Sequence, residues 1–202
     1  MTLELLRAAD RTAVPWKNGG GVTREVAIWP PGAGFDDFAW RVSMAEVRAD
    51  GPFSNFSSVD RILTVLEGSL SLTVHGAGVF DLSAHSAPLA FDGATPASAK
   101  LTAGPVLDLN VMTRRGAAST HLDRIVSPAD VPATPGVRLI FALADGVRVH
   151  VADRVWTLQR YDGVLTEAGV GIEASAEAQA IVVSLTTTDD GSDSRPRSAV
   201  RS

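Results

Sequence analysis

Residues 63–82 read LTVLEGSLSLTVHGAGVFDL. Leu70, Leu72 and Val74 alternate with Ser69, Ser71 and Thr73, the period of a strand with one buried face. Only Glu67 and Gly68 separate 62–66 from 69–74, so the spacing predicts a two-residue hairpin with the glycine at positive φ. The pattern returns at residues 141–158, FALADGVRVHVADRVWTL, with Asp145 and Gly146 at the turn and the turn glycines 78 positions apart. Phe80-Asp81-Leu82 is matched by Trp156-Thr157-Leu158. A duplication makes the chain two fused β-barrels, joined where Gly116, Pro128, Pro132, Pro135 and Gly136 cluster. Chance likeness between two hairpins is the competing explanation.

Short alternating runs continue outside these stretches, among them Trp40, Val42 and Met44 alternating with Arg41 and Ser43, the pattern of an all-β sandwich or barrel. Residues 3–9 fit a helical turn or an edge strand equally well. The tail TTDDGSDSRPRSAVRS has too little apolar surface to bury and reads as flexible.

Composition narrows the function classes. The chain has 202 residues, no cysteine and a formal net charge of −5, with pI near 5.3 and mean hydropathy of +0.12. No run is long and apolar enough to span a membrane as a helix. The acidic balance argues against nucleic acid, which needs a basic face. MTLELLRAADRTAVPW lacks a basic stretch leading into an apolar one, so no secretory signal is expected and a cytoplasmic address is the default.

Metal chemistry requires donors at set spacings. The metal motif of cupin barrels places two histidines one residue apart, a glutamate a few residues later, and a glycine after six more. Counting back from Gly68, the glutamate position holds Arg61, and the histidine positions fall within Ser54-Asn55-Phe56-Ser57. A guanidinium repels a divalent cation and attracts an anion. His75, His85, His121 and His150 show no ligand spacing. No metal and no cofactor is therefore expected, and no GxSxG or cysteine marks a nucleophile.

Three polar clusters remain. Residues 15–25, PWKNGGGVTRE, match neither phosphate-loop spacing and lead into a strand, so no helix N-terminus is available for an anion. Asn18-Gly19 alone would make an ordinary hairpin, but three glycines beside Trp16 and Lys17 also fit backbone thinned for a close approach. In DLNVMTRR, residues 108–115, Asp108, Asn110 and Met112 share one strand face and Leu107, Leu109 and Val111 the other. Either polar residues point into a barrel, where they need partners or a ligand, or they face solvent. Arg61 is either in a surface pair with Asp60 or, sharing parity with Leu63 and Val65, buried at the barrel mouth.

PWKNGGGVTRE, WRVSMAEVRADGPFS, VDRILTVLEG, FDG and DLNVMTRR occur in this order, and together they resemble the HutD/Ves family. The match is dense over the first 115 residues, although FSNFSSVDR departs in detail. The resemblance implies an all-β bicupin, two fused cupin-like barrels. Residues 1–115 would form an N-terminal barrel carrying the ligand site, 116–187 a second barrel and 188–202 a flexible tail. It also implies a link to histidine-utilisation genes through binding of a small acidic intermediate such as urocanate or formiminoglutamate, whereas Ves-type relatives are linked to cold or stress responses. Carried over by position, Trp16, Lys17, Asn18, Arg61, Asp108 and Asn110 would surround the mouth of the first barrel.

The expectation is thus a metal-free binder of a small carboxylate, without established catalysis. Arg61 would clamp the carboxylate, Lys17 add a second positive charge, Asn18 and Asn110 read the polar end, and Trp16 or Phe91 form an apolar wall. Adding 78 to 61 gives Leu139, so the second barrel would lack the arginine and serve packing or homodimer formation. Two other classes stay open. One is a cofactor-free isomerase or hydrolase with Lys17 as acid/base; the other is an interaction module, which would show an exposed apolar patch.

Overall fold

The computed structural model describes residues 3–133, 135–173 and 179–188. It contains no α-helix among these residues, only one 3-10 turn, Ala8–Asp10. The strands form two units, each made of a large and a small sheet. In the first, the six-stranded order is Ala13–Pro15, Gly21–Trp29, Trp40–Val47, Val106–Arg114, Val59–Glu67, Leu89–Asp92. Its partner sheet is Gly51–Pro52, Ala97–Leu101, Ser69–Val74, Gly78–Ser83.

The second unit repeats this plan with Leu3–Leu6, Gly163–Thr166, Val137–Ala142, Gln179–Thr187 and Ala118–Val126 against a four-stranded sheet. That smaller sheet runs Ala129–Val131, Val170–Glu173, Val147–Val151, Arg154–Leu158.

Alternation decides where each side chain goes. Leu63, Val65, Leu70, Leu72 and Val74 fill the interior of the first unit, and Ile140, Ala142, Val147, Val149 and Val151 that of the second. The opposite faces of the two large sheets pack on each other. Trp40, Val42, Leu109 and Val111 meet Leu139, Phe141, Ile181 and Val183 there. Each of these larger side chains contributes roughly 1.5–3 kcal/mol by leaving water, so the units share one continuous apolar seam.

Three expectations are corrected. Glu67-Gly68 and Asp145-Gly146 do not close hairpins, because the strands on either side belong to different sheets. Alternation on both sides of a positive-φ glycine fits a corner between sheets as well as a hairpin. At Gly68 (φ +77) a Cβ would lie 2.6 Å from the Pro105 carbonyl oxygen, so glycine is required by space as well as by φ. The true hairpins are one turn later, Ser69–Val74 with Gly78–Ser83 and Val147–Val151 with Arg154–Leu158.

The second correction follows. Matching the turn glycines would send every side chain of the second copy to the wrong face, since strand period is two. Inward positions 61, 63, 65, 70, 72 and 74 correspond instead to 138, 140, 142, 147, 149 and 151, a spacing of 77. The counterpart of Arg61 is therefore Arg138, not Leu139, and the second unit does carry an arginine there.

Third, Leu3–Leu6 pair with Gly163–Thr166, so the N-terminal strand extends a sheet of the second unit, a departure from a division at residue 115. Residues 3–9 contain both an edge strand and the start of a 3-10 turn. Asp162 fixes this arm: one oxygen accepts from Arg7 and the other from the Ala8 backbone N–H, both at 2.7 Å. Apart from Thr188, the expected tail at 188–202 lies outside the described residues.

Candidate functional site

The first unit is packed at one end and open at the other. Its apolar cluster occupies the side of the small sheet, while the large sheet opens on a cavity of about 1140 Å³. Register sets the polar wall. Across three neighbouring strands Arg61, Met112 and Arg41 lie in one row, Leu63, Asn110 and Ser43 in the next, and Val65, Asp108 and Ala45 in the third. The leucine face of 107–111 packs on the second unit, so Asp108 and Asn110 point into the first, the inward alternative of the two.

Arg61 is 5% exposed and borders the cavity. Its Nε donates to Asn110 Oδ1 at a long 3.4 Å and a terminal N–H to the Ser54 carbonyl at 3.2 Å. The guanidinium carbon lies 5.0–5.7 Å from the centroids of Phe53, Phe56 and Phe91. Ring quadrupoles hold a cation without neutralising it, at up to about 2 kcal/mol per desolvated contact. Gly93, in the FDG motif, lets the side chain pass: a Cβ there would stand 3.3 Å from Arg61 Cδ and 2.7 Å from the Val59 carbonyl oxygen.

Burial lowers the Arg61 guanidinium to about 10, against the opposing field of Asp108. Asp108 is 1% exposed and takes no hydrogen bond or ion pair from another group among the described residues. Burial raises its carboxyl to about 7, with Arg61 pulling it back down. The two groups thus feel each other's charge without forming an ion pair.

The 15–25 stretch is the turn of a β-hairpin. Trp16 N–H donates to the Gly21 carbonyl, Gly19 N–H to that of Trp16, and Asn18 Oδ1 accepts from Gly20 N–H at 3.0 Å. The glycines have separate causes. Gly19 sits at φ +72, whereas at Gly21 a Cβ would lie 2.5 Å from the Glu46 carbonyl oxygen and 3.1 Å from the Trp16 ring. Trp16 can therefore lie flat over Gly21 while its indole N–H donates to Thr23 Oγ1 at 2.7 Å. Trp16, Lys17 and Asn18 all border the cavity, the last two exposed. Phe91 stacks on Arg61 and is not among the cavity-lining residues.

Arg41 was missed. It is 8% exposed, borders the cavity, donates from Nε to Glu25 at 2.9 Å and from Nη1 to Ser43 Oγ at 3.3 Å, and lies 5.0 Å from the Phe35 centroid. Trp40, Val42 and Met44 pack on the second unit, so the intervening Arg41 and Ser43 face the first unit's interior; alternation shows that the two sets face opposite ways but not which set faces in. Phe35 stacks on Phe56 at the rim, 5.8 Å between centroids. No group of three or more histidine, aspartate and glutamate side chains placed to hold a metal occurs among the described residues.

The chain matches the HutD family model over residues 8–183. An uncharacterised 21.2 kDa protein of the hutC 3′ region in Pseudomonas putida is 36% identical over 162 residues, 79% of this chain and 84% of that one. Protein Ves of Cronobacter sakazakii is 38% identical over 154 residues, 75% and 76% of the two chains. Among solved structures, HutD from Pseudomonas fluorescens SBW25 superposes with a TM-score of 0.81 at 28% identity, covering 93% of this chain and all of that one. A cupin barrel protein from Leptotrichia buccalis, 9% identical, superposes at 0.59 over 86% of this chain and 92% of its own, which shows the cupin fold. By the length of the match and the identity to these relatives, the chain belongs to the HutD family.

Proposed function

We propose that this protein is a metal-free receptor for a small carboxylate and that it modulates histidine utilisation by binding an intermediate such as urocanate or formiminoglutamate. One observation carries the reading: a buried guanidinium, Arg61, faces a cavity with no carboxylate bonded to it among the described residues. Its three aromatic contacts leave the charge available, and a bidentate anion would satisfy it. Arg61 also stands where a cupin metal site would need a glutamate, which disfavours a cation there. Arg41, already paired with Glu25, adds positive potential, and Asn110, Asn18 and Lys17 border the same space. The family name and the hutC-region relative support the pathway.

Titration calorimetry with urocanate and with formiminoglutamate tests this. Binding that is lost in Arg61→Ala is the expected result; no binding of either acid, or unchanged affinity in the variant, would sink it.

A second reading, a cofactor-free enzyme acting on the same kind of acid, is favoured by Asp108, a buried carboxyl poised near neutrality beside the cavity. Such an enzyme would use Asp108 as its acid/base in preference to the exposed Lys17. Ligand recovered unchanged after prolonged incubation with the protein would exclude it.

A further inference from the structure

Asp108 is placed unlike any other carboxylate that borders the cavity. Glu25 is paired with Arg41 and about half exposed, whereas Asp108 is sealed in the strand 106–114 at 1% exposure with no bonded partner. The groups facing it can be followed strand by strand. Strand 59–67 presents Arg61, strand 40–47 Arg41 and Ser43, strand 21–29 Glu25 and Thr23, and the 16–20 turn Lys17. Farther along the same cavity are Glu4, Arg7, Asp10 and Arg11 of the N-terminal arm. The small sheet opposite offers Leu70, Leu72, Val74, Ala97 and Ala99 and no ionisable group to this interior. Among the described residues Arg61 is the one charge that acts appreciably on Asp108.

We infer that Asp108 takes up a proton when a carboxylate binds beside Arg61, so that this cavity binds acid and proton together. The inference rests on the binding reading above and deepens it. An anion on Arg61 cancels the field that favours the Asp108 carboxylate. It also brings a second negative charge into the same low-dielectric space and expels water from it. All three changes disfavour ionised Asp108. The bound state is then a neutral set: guanidinium, ligand carboxylate and a carboxylic acid whose O–H can donate to the ligand. No bond is broken; the proton comes from solvent.

The sign follows from linkage. A carboxyl whose titration point rises on binding gives an affinity that falls with pH between the free and bound values. Free Asp108 titrates at about 7. Affinity should therefore weaken by about tenfold per pH unit above that point until the bound-state value is reached.

The probe is acetate, which has no N–H and does not titrate between pH 6 and 9. Protein carrying 13C-labelled aspartate carboxyls is titrated over that range with and without acetate, and the Asp108 signal is assigned by its loss in Asp108→Asn. The expected result is an upward move of at least one pH unit for Asp108 in saturating acetate. Acetate affinity should fall with pH in the parent and stay flat in Asp108→Asn. Acetate that binds with no move in Asp108, or with the same pH dependence in Asp108→Asn, overturns proton coupling and leaves the binding reading standing. If neither acetate nor urocanate perturbs any signal of the cavity, the binding reading falls and takes the coupling with it.

Discussion

The two units each pack a large sheet on a four-stranded one, six-stranded in the first and five-stranded in the second, and each places an arginine at the same inward position, Arg61 in one and Arg138 in the other. What differs is the neighbouring strand. On the strand beside Arg61 in the first unit the inward residues are Met112, Asn110 and Asp108; the matching residues of the second are Ser184, Val182 and Ala180. The first interior therefore keeps polar groups around an open cavity, and the second closes on aliphatic side chains, with Arg138 donating to the Glu167 carbonyl at 3.1 Å. An arginine in a barrel does not make a site. The acid and amide one strand away, and the space beside them, separate the two.

The sharpest way to break this contrast is to give the second unit the first unit's acid. Ala180→Asp puts a carboxylate among Ile140, Ala142 and Val182 with no ligand space, and urea unfolding should show a loss of about 3–5 kcal/mol. Both units place an arginine nearby, so it is the open cavity beside Asp108 that lets the first unit tolerate an acid in the matching place.

Next in size is binding. Arg61→Ala should weaken carboxylate affinity by about a hundredfold, the low end of the cost of removing a buried charged partner. Arg138→Met should leave affinity unchanged within about twofold in the same calorimetric assay.

Asp108→Asn should stabilise the protein at pH 8 by as much as a few kcal/mol. The sign is fixed by the raised titration point. A carboxyl at about 7 in the fold and near 4 when unfolded binds a proton more tightly folded. Its stability contribution is thus fully present below pH 4 and lost as pH rises through 7. The gain of the variant over the parent should accordingly vanish towards pH 4 in pH-resolved unfolding. An equal gain at both ends would mean that the effect is steric.

The smallest effect concerns the wall of the cavity. Gly21→Ala should cost about 1–3 kcal/mol by forcing Trp16 and the 46–47 backbone apart. Gly51→Ala, with open space around its Cβ, should stay within about 0.5 kcal/mol on the same measurement.

Much of the fold was readable because alternation reports which residues share a face, and the turn glycines mark where strands stop. Alternation does not say which strand is the neighbour. Corners and hairpins share the same glycine signal, and that ambiguity shifted the repeat by one residue and hid Arg138. For the site, Arg61, Asp108 and Asn110 could be grouped by parity once an interior was assumed. Arg41 escaped because alternation left open which face of its strand was the interior; its apolar neighbours mark the seam between units. Nothing in the sequence separates a core-facing strand surface from a seam-facing one; only the partner sheet does. Phe91 was read as a cavity wall; cross-strand pairing puts it on the same face as Arg61, where its ring lies against the guanidinium and outside the cavity lining.

The placement of Leu3–Leu6 has a consequence for how the chain is made. During synthesis these residues leave the ribosome long before Gly163–Thr166, their hydrogen-bonding partners. Until residues 162–166 are made the strand is an open edge, and the arm that borders the cavity has no Asp162 to hold it. A fragment stopped after the first unit would keep that edge bare and its seam of Trp40, Val42 and Leu109 wet, a template for pairing with other chains. The cavity's own wall is thus completed only when the opposite half of the molecule arrives.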